Sequence, residues 1–410
     1  MRDDVSASAD RSSAGTATRR IATLDILRGL ALFGMILVHF HQRFRLTTEL
    51  QSFFGEEYIG WFVWMGVEQK AWATFAFLFG VGFAILMRRA EAKGLPVVPL
   101  YLRRMAVLAV IGGIIFLLTD FQMLTEYAIW GAVLLFLRQR STRALLIIAV
   151  VAAATPSLIR LGQGLYELYT IGRAGADAAW EARQAAAPAA LEAHSYAQVV
   201  MHRLQSFPSY LAGLWIPGAS FPLFLIGLLA VRHRVFDEPE RYVTLIGRAM
   251  AFGLASWLAF WLLLPQIPTD FSSMRVALPI RYGLGVISDQ WLAFTYIGAL
   301  TLLLTWRPRW TSRLALFGTV GRIALTNYVL QCLVLEYLSS PFGLNLKLRP
   351  YYYALGAVVL FAVQVVISRL WLSRFRYGPL EWLWRSATYM RWQPMRLRGT
   401  EPGTLVVTGS

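Results

Sequence analysis

The first apolar run of the chain carries three titratable side chains, Asp25, Arg28 and His39. Ionisable groups at membrane depth are costly, which makes each a functional-site candidate by default. Arg28 and His39 are eleven residues apart, roughly 1100° of helical rotation, so they fall within about 20° of each other, with Asp25 within about 60° of the same line. The imidazole changes protonation near neutral pH and can act as a general base on an attacking hydroxyl or amine. Its alternative role is a hydrogen-bonded histidine between helices. Asp25 and Arg28 form an (i, i+3) pair, able to serve chemistry or to neutralise each other as a structural ion pair. About 21 Å of helix separates Asp25 from His39, in a bilayer core about 30 Å thick. The pair is therefore expected near one membrane face and the imidazole near the other.

Further polar residues join this set. Arg103 and Arg104 open the third apolar run, where two guanidinium groups could grip phosphates in bidentate fashion or simply anchor on lipid headgroups. Lys70, close to Glu68, could pair with it or snorkel. Asn327 and Gln331 are (i, i+4), so their amides share a face that must turn inward. These three are candidate polar lining, or glue between helices. Phe77-Leu78-Phe79-Gly80-Val81-Gly82 reads as a close-packing segment. In Phe375–Arg385, Gly378-Pro379 breaks the helix and a short amphipathic helix restarts, with Trp382 and Trp384 suited to the headgroup layer and Glu381 paired with Arg385. Five histidines and the single Cys332 show no zinc spacing, so no metal is expected, nor any permanently bound cofactor.

These residues must be positioned by a bundle of membrane helices. The 410 residues are 57% hydrophobic and 15% charged, with mean hydropathy +0.51, where a soluble domain carries roughly 25% charge. The net charge of +16 does not point to nucleic acid, because the basic residues cluster in short loops between apolar runs. Such runs fall near 22–41, 69–87, 102–119, 121–137, 144–162, 207–231, 243–264, 282–305, 314–338 and 351–373. The expected fold is an all-α polytopic bundle of about ten transmembrane helices, with both termini cytoplasmic by the distribution of Arg and Lys. Residues 1–20 read as a disordered cytoplasmic tail, 21–390 as the bundle and 391–410 as a second disordered tail. The connection 163–206 is expected to be a long extracytoplasmic loop with an alanine-rich helical pattern, and 375–390 a cytoplasmic interfacial helix. The lipid bilayer is the implied partner.

Leu24–Gly29, Lys70 with Phe79-Gly80, Tyr127-Ala128, Gly321–Gln331 and Tyr377–Arg385 resemble the YeiB-like family of bacterial inner-membrane proteins, whose C-terminal region is a domain of unknown function. The resemblance implies a multi-pass protein of the bacterial cytoplasmic (inner) membrane. That family is distantly similar to transmembrane acyltransferases, the type-three acyltransferases and heparan glucosaminide acetyltransferases among them. The former begin their first helix with Asp-x-x-Arg and place a histidine fourteen residues after the Asp, a spacing that Asp25, Arg28 and His39 match. They also carry arginines at the mouth of the third helix, which Arg103 and Arg104 resemble loosely. The implied activity is transfer of an acyl group from cytoplasmic acyl-CoA, a co-substrate, to an acceptor at the extracytoplasmic side. A small-solute transporter or permease is the alternative, although Pro156, Pro222 and Pro265 do not mark two repeated halves.

Overall fold

The computed structural model describes residues 2–44, 56–119, 121, 123–186, 195–216, 218–264 and 271–397. Among these the chain is all helix apart from short connections and one isolated bridge between Phe375 and Arg396. The helices are α1 (Arg2–Phe44), α2 (Glu56–Phe62), α3 (Gln69–Ala92), α4 (Val97–Leu118), α5 (Leu124–Leu137), α6 (Thr142–Ala186) and α7 (Tyr196–Gly213). There follow α8 (Ser220–Arg232), α9 (Val243–Leu263), α10 (Phe271–Trp306), α11 (Arg309–Arg313), α12 (Ala315–Arg322), α13 (Ala324–Ser339), α14 (Pro350–Leu372) and α15 (Pro379–Tyr389). A π-helical stretch, Val63–Glu68, joins α2 to α3.

Every expected apolar run lies in helix, but fewer are long enough to cross. Seven helices have the length and composition of a span, or eight if α12 and α13, bent by 85° across Ile323, are one. The runs expected at 121–137 and 207–231 give α5 and α8, of 14 and 13 residues. Those lengths rise only about 21 and 20 Å, short of a core about 30 Å thick. The chain is a membrane protein of many helices. The end of the bundle that holds Asp25 is called proximal below, and the end that holds Arg43 distal.

Two segments expected to be irregular are helical where described. α1 includes residues 2–20, since no proline interrupts them and a formed helix propagates at one hydrogen bond per residue. The 163–206 connection continues α6 to Ala186, across a non-helical Gly172 (φ 62°), and resumes as α7 at Tyr196; residues 187–194 lie outside the described residues. Of the C-terminal tail, 391–397 is described and packs back on the bundle: Trp382 Nε1 donates to Gln393 O at 2.8 Å. Residues 398–410 lie outside.

α1 is central. In the apolar stretch of α1 61% of residues are buried, against 6% in α9, so α9 shows nearly its whole surface to the surroundings. Leu32, Ile36 and Phe40 of α1 sit in the core with Phe77 and Val81 of α3, Phe224 of α8 and Tyr328 of α13. Two crossings set the spacing. At the α1–α12 crossing, Gly29 faces the Phe317 backbone and Gly321 the Asp25 backbone; at the α3–α8 crossing, Gly80 faces the Phe224 backbone and Gly227 the Phe77 carbonyl. A methyl group at any of these would overlap main chain, and small residues are what let membrane helices approach so closely. Gly162 in α6 has open space around it.

Gly29→Ala or Gly321→Ala is expected to cost about 1–3 kcal/mol by overpacking, read as a lower melting temperature in detergent. Gly162→Ala, which gains helix propensity of up to about 1 kcal/mol, is expected to leave the melt unchanged or raise it. Equal melting of all three would contradict the close crossing.

Candidate functional site

The crossing of α1 over α12 points Asp25 and Arg28 into a cavity of about 550 Å³ at the proximal end of the bundle. Its walls come from α1, α3, α4, α5, α13 and α15. Along α3 it reaches from Arg89 to Phe75, about 21 Å of helix rise. The outer part is basic: Arg28, Arg89, Arg104, Arg322, Arg376 and Arg385 stand against two carboxylates, Asp25 and Glu381. The inner part is apolar and aromatic, with Phe75, Leu78, Phe79, Leu124, Tyr127 and Tyr328. Such a site suits an anionic head group with an apolar extension.

Asp25 and Arg28 pair directly, Arg28 Nη1 to Asp25 Oδ1 at 2.6 Å, with side chains 14% and 27% exposed. Gly82 across the cavity leaves room beside the guanidinium of Arg28. Arg104 lines the cavity and stacks over the indole of Trp384, 3.6 Å from the ring centroid, while Trp384 Nε1 donates to Arg104 O at 2.7 Å. Arg103 is exposed and does not line it. Consecutive helical residues point about 100° apart, so the two arginines named together from the sequence cannot share this wall.

His39 is not on the cavity wall either. Its ring stacks on Phe121, with centroids 4.5 Å apart, and meets Tyr328 edge-on at 6.3 Å. Tyr328 does line the cavity, and its hydroxyl donates to Phe121 O at 3.3 Å. His39 therefore stands behind Tyr328, and its buried Nδ1 has no hydrogen-bond partner. Distally, the Arg43 guanidinium covers the Phe121 ring at 5.8 Å. Asp25 and Arg28 share the cavity, while the third member of the sequence-derived face is one aromatic ring away.

The three expected polar lining residues are elsewhere. Lys70 is 1% exposed and paired with Asp289 at 2.6 Å, so it neither snorkels nor meets water in the cavity. Asn327 is interhelical glue: Nδ2 donates to Ser368 Oγ at 3.0 Å and to Val320 O at 3.2 Å, and its carbonyl accepts from Gln364 Nε2 at 2.8 Å. Gln331 is 1% exposed, its amide oxygen and nitrogen without partners. No group of three His, Cys, Asp or Glu able to hold a metal occurs among the described residues.

Glu381 was not among the expected site residues. It reaches from α15 to the N-terminus of α13, where Oε1 accepts from Leu325 N (2.7 Å) and Thr326 N (3.0 Å), and Oε2 from Thr326 Oγ1 (2.5 Å). A sequence reading pairs Glu381 with Arg385 on one helix; the structure uses it to cap another. The signal available was the density of Gly, Pro, Trp, Glu and Arg in Tyr377–Arg385, more than an interfacial anchor requires. Burial pushes the Glu381 carboxyl above the usual glutamate range, opposed by the hydrogen bonds from Thr326 and Leu325.

Comparison with known proteins divides the chain. Residues 20–172 match the family described as heparan-alpha-glucosaminide N-acetyltransferase, catalytic, and residues 230–391 match a protein family of unknown function, DUF418. The uncharacterized protein YxaH of Bacillus subtilis is 31% identical over 405 residues, covering 92% of this chain and 96% of its own. An uncharacterized 39.9 kDa protein encoded in the amylase 3' region of Bacillus acidopullulyticus is 28% identical over 391 residues, with 92% and 96% covered. The uncharacterized protein YeiB of Escherichia coli is 39% identical over 69 residues, 17% of this chain and 18% of its own. No solved structure matches the chain.

A carboxyl whose folded pKa is raised contributes stability that is present below its ordinary range and is lost as pH rises through the raised value. The melting temperature of the wild type should therefore fall relative to Glu381→Gln as pH rises from the ordinary glutamate range upward. Parallel melting curves for the two proteins across that window would rule out this role. Glu381→Ala strands two backbone donors and should cost about 1–3 kcal/mol.

Proposed function

The chain belongs to the YeiB-like family whose C-terminal part is the DUF418 region, and on that footing we propose that it is a membrane acyltransferase. It takes an acyl group from cytoplasmic acyl-CoA and delivers it to an acceptor at the extracytoplasmic side of the bacterial inner membrane. The observation that carries this reading is the cavity: six arginines around an outer part that narrows into an apolar, aromatic inner end. The match of residues 20–172 to an acetyltransferase catalytic family supports it.

In this reading the phosphates of the donor are held by Arg104, Arg28 and Arg322, and the acyl thioester points inward toward Tyr328. Asp25 keeps the Arg28 guanidinium aimed into the cavity through their 2.6 Å pair. The acceptor oxygen or nitrogen attacks the thioester carbonyl as His39 removes its proton through the unpartnered Nδ1. The thiolate of CoA leaves and receives that proton. Tyr328 must turn aside for this step, because its ring stands between the cavity and the imidazole.

A second reading, a small-solute transporter, is favoured by one feature: α5 and α8 are too short to cross, and α12 and α13 are bent by 85° at Ile323. Interrupted helices of this kind surround solute sites in transporters.

Purified full-length protein in lipid, given radiolabelled acyl-CoA and a membrane extract as acceptor, should form labelled product. Arg104→Ala removes a charge-assisted phosphate contact of about 1.5–3 kcal/mol, so donor affinity should fall roughly ten- to a hundredfold. Arg103→Ala should leave it unchanged, and His39→Ala should lower turnover at saturating donor. Background label in all four proteins across several donors would remove the acyltransferase reading; solute uptake into liposomes without any donor would favour the transporter.

A further inference from the structure

Three charged side chains meet in the distal half of the bundle, away from the cavity: Glu68, the last residue of the π-helical stretch, Lys70 in α3 and Asp289 in α10. In a regular α-helix, residues two apart point about 200° away from each other. The change of winding at Glu68 lets Glu68 and Lys70 act on the same charges, and π-helical turns concentrate at functional sites. Lys70 is 1% exposed, and its Nζ lies 2.6 Å from Asp289 Oδ1, on a side chain 18% exposed. Glu68 Oε1 accepts from Gln42 Nε2 at 2.6 Å, whereas Glu68 Oε2 is buried with no hydrogen-bond partner.

Two carboxylates share one ammonium. With all three ionised, the cluster carries one negative charge that nothing printed by its surroundings offsets. From α1, Gln42 is neutral, Arg43 is committed to Glu336 and Ser339, and His41 bonds to Tyr353. From α10, the Tyr296 hydroxyl donates to Gly66 O at 3.1 Å. α8, packed on α3, has no charged residue before Arg232. α6 carries Arg160 one turn from Ser157, which meets α10 at Gly283, about 9 Å of helix rise from Asp289. α9, packed on α10, has its only charge at Arg248 in its first turns, toward the proximal end. An uncompensated buried charge is costly enough that the group neutralises instead.

We propose that Glu68, Lys70 and Asp289 form a proton-binding site that holds one proton on a carboxyl group at neutral pH. The proton comes from water: a carboxylate oxygen gains an O–H bond, and a hydronium ion becomes water. Glu68 Oε2, whose negative charge has no neighbour to offset it, is the oxygen that takes it. The cluster then reads neutral acid, ammonium and carboxylate, with no net charge. This inference stands independently of the acyl-transfer reading, since none of the three residues lines the cavity.

Infrared spectroscopy of the full-length protein in phospholipid nanodiscs tests it, with spectra taken at neutral pH in light and heavy water. The wild type should show a protonated-carboxyl stretch that shifts on deuteration. Both Glu68→Gln and Asp289→Asn should lack that component, because removing either carboxyl leaves one acid and one base, already neutral. Each variant reads the site alone, so one that folds is sufficient. Wild-type and variant spectra that coincide in this region would overturn the proposal, leaving Lys70 and Asp289 as a plain ion pair.

Discussion

A helix interrupted inside an apolar slab exposes backbone N–H groups that lipid cannot satisfy. At Ile323 the chain bends by 85° and restarts as α13. The first two N–H groups after the break, on Leu325 and Thr326, both go to the Glu381 carboxylate. A carboxylate is the favoured partner there, because the helix N-terminus carries the positive end of its dipole. Much follows from this one joint. It fixes α15 across the proximal end, and α15 in turn brings Trp384 to the Arg104 carbonyl and indole face to the Arg104 guanidinium. The basic ring of the cavity is held in place by an acid that caps a broken helix.

The cavity also unites the two regions that resemble different families. Asp25, Arg28, Arg89 and Arg104 lie within residues 20–172, and Arg322, Tyr328, Glu381 and Arg385 within 230–391. Neither region builds the site alone. The close approach of Gly29 and Gly321 joins them, backbone to backbone, which explains why the most distinctive motifs of the chain sit near both its beginning and its end.

Chemistry is divided between two halves of the bundle. Proximally there is a basic, hollow site. Distally the polar groups are packed solid: Glu336 between Arg43 and Arg203 at 2.9 and 3.1 Å, and Lys70 against Asp289. His39 lies on the boundary between them, with Tyr328 on one side and Phe121 on the other. A ring that can turn is the least that separates the donor site from the imidazole.

The sequence alone determined the all-helical membrane character, because an apolar run of span length has no other stable form in lipid. It also determined which helix would carry the chemistry, since Asp25 and Arg28 lie one turn apart and must share a face whatever surrounds them. Local periodicity says nothing about which neighbour fills that face. Only the tertiary structure decided that Arg104 and not Arg103 enters the cavity, that Tyr328 hides His39, that Lys70 answers to Asp289 rather than to nearby Glu68, and that Glu381 leaves its own helix to cap another. Each of these is a contact between residues far apart in the chain, set by how closely helices can approach and by the need of every buried polar group for a partner.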